Sequence, residues 1–219
     1  MAGFFSRFWQ SGKGAPSDTN PPRSLTHPSQ LQQGDVINFN DSFALPEQVR
    51  GRSFEVSEVN GYEFEDEIVT EFLLQGESST PLFLSVVDDD EDYLNLSVKI
   101  LRADVEKLFD LDNFADVFDG DGHTVLNRIG EPDHLSRWTA PVYRQEEMAE
   151  RGYYLRGDRR KTTTRHEGGE VFDYYLLVSD DREYSVEAEV YDGGETDVAL
   201  SLRRPLSDIT EMWPAGNNG

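Results

Sequence analysis

The chain has 219 residues, with 43 acidic against 20 basic side chains and a formal net charge of −23. A field of that sign repels nucleic acid and anionic lipid except where a local basic patch overrides it. Cysteine is absent, which excludes disulfides, thiolate metal sites and cysteine nucleophiles and suits a reducing cytoplasm. No apolar run approaches the roughly 20 residues of a membrane-spanning helix, and the N-terminus lacks the apolar stretch and cleavage site of a secretory signal. The expected location is the cytoplasm.

Residues 1–30 stand apart from the rest. On a helix, Phe4, Phe5, Phe8 and Trp9 share one face, with Arg7 and Lys13 available as cations and no acid before Asp18. Such a face is expected to act as a membrane or partner anchor, lying at a headgroup boundary at the inner membrane; the alternative is an arm that docks on its own domain or on a sister subunit. Residues 10–30, rich in Gly, Ser and Pro, read as a flexible linker. Two further regions follow: 31–118, a first β-lobe with a helical region, and 119–219, a connector and a second β-lobe.

In the first lobe, Ser53–Val59 alternates as a strand, and Asn60-Gly61 is a strong hairpin signal that would make Tyr62 and Phe64 the start of a return strand. Ile68, Thr70, Phe72 and Leu74 share one strand face, with Val69, Glu71 and Leu73 on the other. Leu82–Val87 is apolar apart from Ser85, as in a strand covered on both sides. Leu94, Leu96, Val98 and Ile100 alternate with polar residues as in a half-buried strand. Asp104 has the chemistry of a helix N-cap, and the apolar positions from Val105 to Phe118 have helical spacing with a break near Asp110–Asn113. Asp119-Gly120-Asp121-Gly122 ends that region.

In the second lobe, Gln145–Glu150 is expected as a helical turn. Strands are expected at Gly152–Arg156, Lys161–Arg165, Val171–Val178, Tyr184–Val190 and Val198–Arg203, with a last helical turn from Ser207 to Pro214. Residues 67–109 and 170–213 look like two copies of one pattern. Glu67, Leu73, Leu74, Leu96, Ser97 and Asp104 return as Glu170, Leu176, Leu177, Leu200, Ser201 and Asp208. The expected fold is therefore mainly β with minor helices: two related antiparallel β-lobes from an internal duplication, joined by the helical region.

Chemical motifs are sparse. Asp119-Gly120-Asp121-Gly122-His123 fails the EF-hand pattern, because the sixth and twelfth loop positions are Thr124 and Gly130. Gly152 to Gly157 has the glycine spacing of a phosphate loop, but Asp158 and Arg159 stand where Lys and Ser/Thr are needed. Asp88–Asp92 reads as a solvated acidic turn. His123, His134 and His166 are scattered, so no catalytic residue, metal site or cofactor is assigned. One cluster opposes the global charge: Arg156, Arg159, Arg160, Lys161 and Arg165, near Arg151 and against Asp158. The guanidinium fork suits phosphate and carboxylate, which gives an anion or acidic-partner site; the competing reading is a hairpin tip paired with the chain's own acids.

The aromatic start MAGFFSRF, the linker after it and the closing run VYDGGETDVALSLRRPLSDITEMWP (Val190 to Pro214) resemble the YjfK-like family of bacterial proteins. That family supplies no activity to carry over. Its genes often neighbour a PspA-type membrane-stress protein, so the resemblance implies a cytoplasmic accessory role at the membrane. The expected function is a non-catalytic interaction protein with a protein partner, peripheral membrane contact through the N-terminus and no nucleic acid. The alternative is a small-ligand binder or enzyme using a cleft between the lobes.

Overall fold

Period-two alternation along most of the chain dictates strands with two chemically different faces. The computed structural model describes residues 23–65, 67–162 and 165–216. After a 3-10 turn at Pro28–Gln30 come β1 (Val36–Phe39), β2 (Ser53–Glu63), β3 (Ile68–Gln75), β4 (Leu82–Val87) and β5 (Tyr93–Ile100). Helices α1 (Arg102–Leu108) and α2 (Leu111–Asp119) lead to β6 (Val125–Asn127) and β7 (Val142–Leu155). The chain then forms β8 (Glu170–Ser179), β9 (Tyr184–Tyr191), β10 (Thr196–Pro205), a 3-10 turn at Leu206–Asp208 and β11 (Ile209–Trp213). The fold is mainly β, an 11-stranded sheet in which every pairing is antiparallel.

β1 to β5 form one antiparallel meander and β6 to β10 another, with the same strand order. The meanders join twice. β5 pairs with β10, Ser97 opposite Ser201, and β2 pairs with β7, Tyr62 opposite Tyr154. Eight strands therefore close on themselves in the order β2, β3, β4, β5, β10, β9, β8, β7 and back to β2. Closure removes sheet edges from this ring. The halves are not independent bodies, since β11, which follows the second meander, pairs with β1 of the first.

The ring inverts the usual polarity of a soluble barrel. Phe72, Leu84, Leu96, Val186 and Leu200 point outward and are almost wholly buried, because α1, α2, residues 25–49, the 128–141 connector and the flanking strands cover that face. Each such side chain contributes about 1.5–3 kcal/mol of burial. Val105, Leu108, Phe114 and Val117 supply the helices' share of the cover, and Trp138 anchors the connector, its indole N–H donating to Gln48 Oε1 at 3.4 Å. The inner face mixes polar and apolar side chains and lines a cavity.

Several local expectations give way to tertiary pairing. Asn60-Gly61 is not a turn: β2 runs straight through it, and Gly61 leaves room for the stem of Arg159. Pairing with both β3 and β7 outweighs the local hairpin preference there. Gln145–Glu150 lies within β7 rather than in a helical turn, and register shifts at Gln145/Glu147 and Glu147/Glu150, with Ala149 at φ 56°, mark bulges that bend the strand. Residues 161–162 and 165 lie in the β7–β8 loop instead of a strand. The α1 N-cap is Leu101, without a side-chain cap, and Asp104 sits inside the first turn; Asp110 caps α2 by accepting from the Asn113 N–H. The segment after Asp208 is strand β11, not a helical turn. Residues 23–30 do not behave as a linker. Arg23 pairs with the fully buried Asp35 carboxylate, and Leu25 packs against the core.

Candidate functional site: the lumen of the ring

The inward positions of all eight ring strands meet around one cavity of about 570 Å³. Tyr62 comes from β2, Glu71 from β3, Phe83 and Ser85 from β4, and Asn95 and Ser97 from β5. Tyr174 (β8), Glu187 and Glu189 (β9) and Arg203 (β10) face them. One end is plugged by aromatics: Phe172 is fully buried, its ring 5.7 Å from Tyr62, 5.9 Å from Phe64 and 5.6 Å from Tyr191. Gly152 is opposite Phe172 because a Cβ there would lie 2.3 Å from the ring. The other end opens beside the β4–β5 and β8–β9 turns, where Asp88, Tyr93, Arg182 and Glu183 line the mouth.

Three carboxylates on the inner wall are each engaged by a phenol. Tyr62 hydrogen-bonds to Glu71, Tyr174 to Glu187, and Tyr191 Oη donates to Glu189 Oε2 at 2.6 Å. Glu187 also accepts from Ser185 Oγ at 3.2 Å and Asn95 Nδ2 at 3.4 Å. Behind them, Ser97 and Ser201 share a hydrogen bond of 2.7 Å where the two meanders meet. Beside the cavity rather than on its lining, Lys99 is bound to Asp197 Oδ2 at 2.5 Å with its ammonium 5.3 Å from the Phe83 ring centre.

Gathering like charges inside a ring perturbs them in a consistent direction. Burial, then the Glu189 charge, raises the Glu71 carboxyl to about 8 against the pull of Lys99. Burial also raises Glu189. Tyr62 and Tyr174 are pushed well above the ordinary phenol range by burial and by the carboxylates beside them. Lys99 is held above its usual value because its hydrogen bond to Asp197 and the Glu189 charge outweigh its burial. The lumen therefore favours a proton on Glu71 at neutral pH.

The basic cluster is placed elsewhere, on the loop between β7 and β8, and its members do not converge. Arg160 donates to the backbone carbonyls of Ser29 and Leu31, pairs with Asp158 and lies 5.5 Å from the Phe72 ring centre. Arg156 meets Glu170 at 3.5 Å, Arg165 donates to the Glu65 carbonyl at 2.9 Å, and Arg159 packs its stem on Gly61. Lys161 is exposed. The geometry is that of a brace between the loop and the first meander. The anchor residues Phe4, Phe5, Phe8 and Trp9 lie outside the described residues.

The histidines do not reach the cavity: His166 pairs with Glu63 and His134 with Asp104, while His123 follows α2. Among the described residues no group of histidines and carboxylates is arranged to hold a metal ion. The lumen residues escaped the sequence reading because each is an ordinary polar position on an alternating strand. The available signal was that Glu71, Glu187 and Glu189 interrupt strands whose opposite faces are strongly apolar. No family model, curated protein or solved structure matches the chain. What the fold and the cavity define is a closed antiparallel ring with a carboxylate- and tyrosine-bearing, one-ended interior.

Proposed function

We propose that the chain is a small-ligand-binding protein whose ligand sits in the lumen between the two meanders. One observation carries this reading: a cavity of about 570 Å³, within the range of small-molecule sites, is lined by every strand of the ring. A barrel built only for stability fills its interior with apolar side chains. Here most of the large apolar residues are spent on the outer face, and the interior mixes phenols, carboxylates, hydroxyls and an amide with Val69, Phe83, Leu176 and Val178.

Thermal melting of the intact protein against a small-molecule collection tests the reading. A ligand at about 100 times its Kd stabilises by ~2.7 kcal/mol, so a binder raises the midpoint. The same compound should leave Ser85→Trp unaffected, because the indole occupies the lumen from the inner wall of β4. The reading fails if no compound separates the two proteins while both melt cooperatively.

The resemblance to YjfK-like proteins supports a second, compatible placement, in which this binder works beside a PspA-type membrane-stress system as an accessory protein. Pull-down of the intact chain from native lysate tests that placement; recovery without any membrane-stress component counts against it. We also read the two meanders as copies of one ancestral unit. The matched segments fall on β3 and β8 and on β5 and β10, and the Ser97–Ser201 and Tyr62–Tyr154 pairings join equivalent strands.

A further inference from the structure

We propose that the lumen is specific for an organic ammonium cation, held by carboxylates and tyrosine faces together. This rests on the ligand-binding reading and names the class of ligand.

Three observations carry it. First, the lining is one-sided in charge: eight carboxyl groups, Glu71 among them holding its proton at neutral pH, against two guanidiniums. Both guanidiniums are engaged at the mouth, Arg182 with Glu146 and Arg203 with Asp89. A low-dielectric cleft of one sign focuses its field and rejects ligands of that sign. Second, the acids are not gathered around a point. They alternate with aromatic rings, and among the described residues they form no metal-holding group. Ring faces attract a cation through the quadrupole, most strongly when it is desolvated, and such mixed walls suit a bulky, weakly hydrated ammonium. Third, the protein already holds nitrogen cations in this manner at the cavity and beside it. Lys99 lies over Phe83 while paired to Asp197, and the Arg203 guanidinium lies 3.7 Å from the Tyr93 ring centre. The perturbed titration of Glu71 fits the same picture, because an added positive charge beside Glu189 and Glu71 would let both ionise.

The test uses choline, its neutral carbon isostere 3,3-dimethylbutan-1-ol and the anion 3,3-dimethylbutanoate with the full chain. These share shape and differ in charge, and choline cannot lose its charge to the buffer. Binding is measured by calorimetry and located from the amide NMR shifts of Ser97 and Ser201. The expected result is that choline shifts the lumen amides and binds at least about tenfold more tightly than the neutral isostere. The double variant Glu187→Gln/Glu189→Gln should lose about tenfold in choline affinity while still unfolding in one cooperative transition, whatever the change in its midpoint. Equal or tighter binding of the neutral or anionic probe in the lumen overturns the cation inference and leaves the ligand-binding reading standing. Failure of all three probes to shift the lumen amides overturns the cation inference, and the ligand-binding reading is then decided by the melting screen alone.

Discussion

Replacing Glu71 by glutamine should make the protein more stable at alkaline pH and leave it unchanged near pH 5. In the unfolded chain this carboxyl titrates at 4.5, and in the ring it is held at about 8, by burial first and by Glu189 second. Between those values the native state keeps a proton that the unfolded state has released. Stability therefore falls as pH rises through the window, and the whole penalty is in force above pH 8. A displacement of that size corresponds to at most about 5 kcal/mol. Glu71 is partly reached by water in the cavity, which screens it, so ~2 kcal/mol is the expected difference. Glutamine cannot ionise and still accepts from Tyr62. The other groups facing position 71 are Tyr154 on β7, Lys99 on β5 and Glu187 and Glu189 on β9. They are common to both proteins, so they cancel to first order in the comparison. Urea unfolding at intervals from pH 5 to pH 9 measures the difference directly. A stability gap that does not widen with pH, or that favours the parent at pH 9, refutes the reasoning.

Two further substitutions test how the ring is braced. Arg23→Ala should cost about 3 kcal/mol in denaturant unfolding, because Asp35 is fully buried and loses its cation while keeping only backbone donors from Gln32 and Ala215; an effect below about 0.5 kcal/mol would count against that role. Arg160→Glu should lower the thermal midpoint clearly, since it removes the donors to Ser29 and Leu31 and sets a carboxylate against Asp158, whereas Arg159→Glu should cost little. Salt-dependent binding of anionic vesicles that both reversals abolish, with melting unchanged, would instead support the anion-site reading of that loop.

Much of the fold was legible in the sequence. The alternation of Leu94, Leu96 and Val98, and of Tyr184, Val186 and Ala188, names strands and assigns each residue to a face, because side-chain direction in a strand depends only on parity. The helical spacing of Val105 to Phe118 locates both helices for an equally local reason. The places where reading failed are those where distant partners decide. Asn60-Gly61 has the chemistry of a turn, yet ladders to β3 and β7 hold it extended. Gln145–Glu150 has helix-compatible residues, yet β8 pairs with it along a bulged strand. The site is the extreme case. Glu71 on β3 and Glu189 on β9 are separated by β4, β5 and β10 in the sheet order, and only closure of β2 on β7 turns their shared parity into a shared cavity. Sequence by itself determined which residues lie on the polar face. Whether that face looks out to water or in on a lumen was decided by the tertiary structure, because ring closure is a pairing between residues some 90 positions apart that no local pattern encodes.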